Sequence, residues 1–201
     1  MENLIITIGR EYGSGGREIG EKLAERLSIP IYDKQLITEA VQASGICQEV
    51  FEQYDETATN SLLYNLVMGT YNVNMPLPIP DQLFLEQFKV IQKLAKKGSC
   101  IFIGRCADYV LEENPHLISV FIQGNEEDKM KRIMKRNNIS ESEAKKRMKS
   151  IDKARKTYYE RYTNKSWGKT NSYDVTLNSS TFGIDRSVEF LYRMATEVQN
   201  T

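Results

Sequence analysis

No apolar run in this chain of 201 residues approaches the ~20 that a bilayer-spanning helix requires, so a membrane span is not expected. Cysteine is scarce: Cys47, Cys100 and Cys106 are odd in number and lack paired metal-site spacing. They read as reduced thiols, with Cys100 in a buried strand, and exclude a disulfide framework. Histidine is nearly absent; His116 stands in a loop before a strand and carries no assigned role, and no metal ligands are assigned from the protein. The start Met1-Glu2-Asn3-Leu4 lacks the basic residues and apolar stretch of a secretory leader, so a cytoplasmic location is expected. Net charge is also missing, with 27 Lys and Arg against 27 Asp and Glu, which argues against general nucleic-acid binding. Apolar content of 40% and charged content of 27% suit one globular domain with a sizeable core.

What is present begins with the segment Ile8-Gly9-Arg10-Glu11-Tyr12-Gly13-Ser14-Gly15-Gly16-Arg17-Glu18-Ile19-Gly20. It follows the apolar run 4–8 and precedes Ile19, Leu23, Ala24 and Leu27 at helical spacing. A strand, a glycine turn and a helix in that order make a phosphate cradle: amides converge on an anion, and the helix N-terminus adds partial positive charge. Amides of 13–17 are the expected donors, with Gly13, Ser14, Gly15, Gly16, Arg17 and Glu18 as the binding set. The usual loop of this kind ends in Gly-Lys-Ser/Thr. Here the lysine position falls on Gly16 or Arg17, and Glu18 stands at or beside the hydroxyl that usually holds Mg²⁺. Arg17 is the expected substitute cation, although its planar fork places charge differently from a compact ammonium. Glu18 can reach a metal or simply favour the helix start.

Strands are expected at 4–8, 100–104, 117–122 and 173–178, with a short one near 29–31. Helices are expected at 17–28, 34–44, 81–97, 106–113, 126–137, 141–163 and 185–198. Ser140 to Glu143 has the form of a capping box. Alternation of strand and helix argues for a parallel α/β sheet covered on both faces, with ligands beyond the carboxyl ends of the strands. The loop 9–17, Asp33, Arg105 and 123–128 all fall at such ends. Residues 55–80 lack clear periodicity and close on Met75-Pro76-Leu77-Pro78-Ile79-Pro80, which reads as extended. A segment there can cap a substrate site or mediate homo-oligomer contacts.

Between Lys129 and Arg161 stand thirteen Lys and Arg against four Asp and Glu. Arg132 and Arg136 share a helix face at i,i+4; Arg147 lies behind them, and Asp152 can orient Arg155 at i,i+3. Several guanidiniums over a triphosphate are what phosphoryl transfer requires, because its transition state spreads charge over the equatorial oxygens. Arg105, after the strand 100–103, is placed to hold an acceptor phosphate through its fork. Asp33 and Lys34 stand beside it as further substrate contacts, although Asp33 is equally a helix N-cap. Tyr158, Tyr159, Tyr162 and Trp167 read mainly as packing beneath the basic helix.

Together these segments resemble the cytidylate kinase-like proteins of the nucleoside monophosphate kinase group. Residues 9–17 are similar to that subgroup's modified phosphate loop, and Ile31-Tyr32-Asp33-Lys34 to its next element. Ile101-Phe102-Ile103-Gly104-Arg105 resembles the strand that meets the monophosphate substrate. Arg132 to Arg136 and Asp152-Lys153-Ala154-Arg155 are similar to the lid motifs, and 173–180 to the last strand and its turn. The resemblance implies a P-loop kinase-type parallel sheet of about five strands, order 2-3-1-4-5. It also implies a single domain over 1–201, with an acceptor-side insertion at about 34–97 and a lid at about 132–163. The implied reaction moves the γ-phosphoryl of ATP to CMP or a related monophosphate with Mg²⁺, with Arg17, Arg132, Arg136 and Arg155 as catalytic cations. Asp33, Lys34, Arg105 and Asp152 are the implied substrate contacts. Two alternatives stay open on the residues alone: a kinase with a non-nucleotide acceptor, and a nucleotide-binding protein without catalysis.

Overall fold

The computed structural model describes residues 3–42 and 78–198. Strand β1 (Ile5–Arg10) leads through the glycine loop into α1 (Gly16–Leu27), then β2 (Ile31–Tyr32) and α2 (Lys34–Gln42). After these come α3 (Ile79–Ala95), β3 (Cys100–Ile103), α4 (Ala107–Val110), β4 (Leu117–Gln123), α5 (Glu126–Asn137) and α6 (Glu141–Tyr162). A 3₁₀ turn at Thr170–Ser172, β5 (Val175–Asn178) and α7 (Ser179–Val198) complete it. The sheet is all parallel in the order β2-β3-β1-β4-β5, the arrangement of a P-loop kinase.

Alternation along the strands divides the core. Ile6 and Ile8 of β1, Ile101 and Ile103 of β3, and Val120 and Ile122 of β4 bury against α1 and α7. Ile5 and Phe102 point the other way, onto α2, α3 and α4. Both faces being covered explains why these strands are almost continuously apolar. Gly20 lets α1 lie close on the sheet, since a Cβ there would meet Ile103 Cδ1 at 2.6 Å.

Several boundaries differ from the sequence reading for local reasons. Ile79 and Pro80 are helical, not extended: Pro78 is the N-cap of α3, and proline in a first turn forfeits no intrahelical bond. The remainder of that expectation, at 55–77, lies outside the described residues, as do Cys47 and the end of the helix expected at 34–44. Arg105 and Cys106 both take left-handed backbone (φ 62° and 55°), which delays α4 to Ala107. β5 begins at Val175 because the Asp174 carboxylate accepts from Ser119 N at 2.7 Å and Ser119 Oγ at 2.6 Å. α7 begins six residues earlier than expected and bends at Gly183 (φ 75°, ψ 170°), which breaks its periodic pattern.

Candidate functional site

The carboxyl ends of β1, β2 and β3 open into a cleft of about 1070 Å³. Gly15 is the N-cap of α1 in left-handed conformation (φ 80°, ψ 6°), and Gly16 is the first helical residue. Gly15, Gly16, Arg17 and Glu18 line the cleft, so the unbonded amides of the first helical turn border it. Ser14 is fully buried and donates from Oγ to Glu11 O at 2.9 Å, so its hydroxyl holds the loop closed. Gly13 (φ 84°) sits against α5, where a Cβ would lie 2.8 Å from Lys129 O. Since Gly16 opens the helix, it occupies the lysine position of an ordinary loop, and Arg17 the next one.

Arg17 lies on the outer rim, with its side chain 62% exposed. Its Nε donates to Glu21 Oε1 and its Nη2 pairs with Asp33 Oδ2, each at 2.8 Å. These carboxylates raise its pKa, the Glu21 hydrogen bond most. Asp33 also accepts from Leu36 N at 3.1 Å, the bond of a helix cap. Glu18 is exposed and pairs with Lys22 at 3.3 Å; Lys34 lines the same rim.

The opposite wall comes from α5 and α6. Arg132 donates from Nη1 to Gly13 O (3.2 Å) and Ser179 Oγ (3.4 Å). The Arg136 guanidinium lies 4.9 Å from the centroid of the Tyr12 ring and that of Arg155 5.6 Å from it. Arg155 Nη1 donates to Arg10 O at 3.2 Å. Asp152 Oδ1 accepts from Tyr12 N at 2.7 Å, binding α6 to the loop. Burial raises its pKa, offset in part by that amide and by Arg155. Arg10, Arg17, Arg132, Arg136, Arg147 and Arg155 thus border one hollow.

Arg105 is buried and lies in an adjoining hollow, smaller at about 40 Å³, together with Arg10, Arg155, Tyr158, Tyr159 and Trp167. Its guanidinium is 5.7 Å from the Tyr158 ring centroid. Asp108 lines it as well: its Oδ2 accepts from Tyr159 OH at 2.6 Å, and burial raises its pKa. Burial pushes Cys106 well up as well, so that thiol is inert.

Three contributors escaped the sequence reading. Glu11 accepts from Gly124 N at 3.0 Å and from Lys129 Nζ at 2.8 Å, clamping the loop onto β4 and α5. Lys129 was one basic residue among thirteen and carried no distinguishing signal. Arg10 borders both hollows. Its place, between a buried strand and the first loop residue, was the available clue.

The family model described as cytidylate kinase-like matches residues 5–181. An uncharacterised protein from Eubacterium ventriosum is similar in structure at TM-score 0.75, with 30% identity over 96% of this chain and 98% of that one. Shikimate kinase from Bacteroides thetaiotaomicron superposes at TM-score 0.54 with 14% identity, over 95% of this chain and 97% of that one. A gluconokinase from Sinorhizobium meliloti does so at 0.51 with 15% identity, over 98% and 96%. The latter two share the fold. No curated protein matches the sequence. No helix among the described residues is long and apolar enough to cross a membrane.

Proposed function

The chain belongs to the cytidylate kinase-like family, and from that premise we propose that it transfers the γ-phosphoryl group of ATP to a nucleoside monophosphate, with CMP as the leading acceptor. One observation carries the reading: a helix N-terminus and six arginines drawn from β1, α1, α5 and α6 border a single hollow, and Arg105 stands next to it. In this reading the amides of 13–17 hold the donor phosphates, and Arg132, Arg136 and Arg155 close over the transferring group. Arg105 holds the acceptor phosphate, with Asp33 and Lys34 at the rim and Asp152 fixing α6 to the loop. Residues 34–97 serve the acceptor and 132–163 form the lid of one domain. The attacking atom is an acceptor phosphate oxygen that is already ionised, so no general base is required. Its bond to the γ-phosphorus forms as the bond to the β–γ bridging oxygen breaks, and that electron pair leaves on ADP. Catalysis then consists of positioning and charge stabilisation.

Mg²⁺ fits as a companion of ATP rather than as a resident ion. Among the described residues no group of three or more His, Cys, Asp or Glu can hold a metal alone, and Mg²⁺ is commonly held by one or two carboxylates plus substrate phosphates. Glu18 at the cleft edge, paired here with Lys22, would be the carboxylate to hold it, and the ion would supply neutralising charge at the phosphates.

The test is ADP formation from ATP and Mg²⁺ with a panel of CMP, dCMP, UMP, AMP, GMP, shikimate and gluconate. Acceptor-dependent turnover greatest with CMP supports the reading; turnover with a sugar acid or shikimate alone moves the acceptor outside the nucleotides. The bare Gly16 favours a second reading, nucleotide binding without transfer. ATP binding with no acceptor raising ADP above background would establish that one.

A further inference from the structure

Position 16 has no side chain, and the space such a side chain needs is already filled. A Cβ built on Gly16 would lie 2.6 Å from Arg10 Cβ and 3.2 Å from Arg10 Cγ. The Arg10 stem therefore runs through the volume that the stem of a loop lysine would take. At the other end of the same side chain stands Gly104, where a Cβ would collide with Arg10 Nη1. Gly104 has φ 73°, a backbone that other residues rarely adopt. Two glycines from separate elements thus leave room for one arginine, one at its stem and one at its head. The backbone of Arg10 is held in turn, since its carbonyl accepts from Arg155 Nη1. Among the basic residues of the cleft, Arg10 and Arg155 border both the larger hollow and the Arg105 hollow.

We propose that Arg10, entering from the end of β1, supplies to the donor phosphates the cation that an ordinary loop carries at position 16. The inference rests on the phosphotransferase reading and names the residue that completes its donor site. Arg10 lines both hollows and its head stands beside Gly104 at the end of β3, which assigns its contact to the terminal phosphate, nearest the acceptor side, rather than to the α-phosphate. A planar fork there spans two oxygens of that group, which a point-like ammonium does not. No bond to Arg10 forms or breaks. Arg17, tied to Glu21 and Asp33 on the rim, is left to orient Asp33 and the start of α2.

The experiment measures ATP, ADP, AMP and tripolyphosphate binding by calorimetry to the full chain and four variants. Arg10→Met keeps the stem that packs beside Gly16 and removes only the charge. It should weaken ATP and tripolyphosphate by about 10- to 100-fold, the range of a lost charge-assisted contact, and AMP by less than about 2-fold. Arg10→Gly should do the same, and Arg10→Gly combined with Gly16→Lys should recover at least about 10-fold of the ATP affinity. Gly16→Lys alone, with Arg10 in place, should lose affinity through the clash. Melting curves of each variant confirm that it is folded. ATP affinity unchanged in Arg10→Met, AMP and ATP weakened alike, or no recovery in the double variant would each overturn the assignment. A wild-type chain that binds ATP but transfers to no acceptor defeats the proposed reaction while leaving this binding test intact; one that binds no ATP defeats both.

Discussion

At the scale of single residues, the cations of the cleft differ in what already holds them, and this separates their expected effects. Arg132 is bonded to the loop carbonyl of Gly13 and has a share in its architecture. Arg136 rests on the Tyr12 ring at the cleft wall and is better placed to meet charge that develops during transfer. Arg136→Ala should lower kcat by about 10²- to 10³-fold, while KM for ATP moves less than about 3-fold. A raised KM at unchanged kcat would make it a ground-state contact instead. Asp108 offers a prediction of another kind. Burial holds its carboxyl above the ordinary value even though Tyr159 donates to it. Between the unfolded and folded pKa values the folded chain carries the extra proton, so Asp108 favours folding fully below the unfolded value. That contribution is lost as pH rises through the folded value. Asp108→Asn keeps an oxygen for Tyr159 and abolishes ionisation. The variant should melt above the parent at about pH 8, with the difference shrinking toward about pH 4. Calorimetric melts across that range decide it, and a deficit of equal size at both ends would sink the argument. Glu11, Lys129 and Arg10 show why residue roles were the hardest part to read: Glu11 meets Gly124 and Lys129, and Arg10 meets Gly104, across long stretches of chain, and side-chain type alone does not announce such contacts.

At the scale of elements, the sequence was most legible where local chemistry alone sets the structure. The apolar runs of β1, β3 and β4 declared themselves because both faces are buried. The start of α6 did so through Ser140 and Glu143, whose reciprocal bonds form a complete capping box. Removing the cap with Ser140→Ala should cost about 1 kcal/mol of stability, which for a chain of this size is about 2–4 °C in Tm. Urea melts check the figure, and Ser140→Asn should retain most of the stability because asparagine caps as well. Elements set by tertiary contacts were misjudged. The turn of α7 before Gly183 is anchored by Ser179, whose Oγ donates to Ser14 O and meets the site across 165 positions. The two left-handed residues before α4, Arg105 and Cys106, line the smaller hollow and are themselves neither glycine nor asparagine, so nothing in their type announces the turn.

For the molecule as a whole, the question is what moves when the cleft fills. The basic helix α6 is 22 residues long and has two kinds of neighbour. Its first half packs Ala144 and Met148 against Tyr12, Met130 and Ile133, that is, against α5 and the loop. Its last turns bury Tyr159 and Tyr162 among Phe84, Phe121 and Tyr173. Phe84 and Tyr162 stack at 4.1 Å between centroids. The buried Arg161–Asp81 pair at 2.6 Å ties the same turn to α3. Breaking a buried pair by removing one partner costs several kcal/mol, so this end is a fixed point. The cations proposed to close on phosphate, Arg132, Arg136 and Arg155, all precede this turn in the chain and line the cleft. Closure should therefore pivot about 156–162, with α5 and the part of α6 before the pivot tightening onto the loop they already contact. Hydrogen exchange with a non-hydrolysable ATP analogue is the measurement. Amides at 10–18 and 126–155 should slow on binding, and those at 158–163, already deeply packed, should not change. Equal slowing along the whole of α6 would mean that the helix moves as one body and that the aromatic anchor is not the pivot.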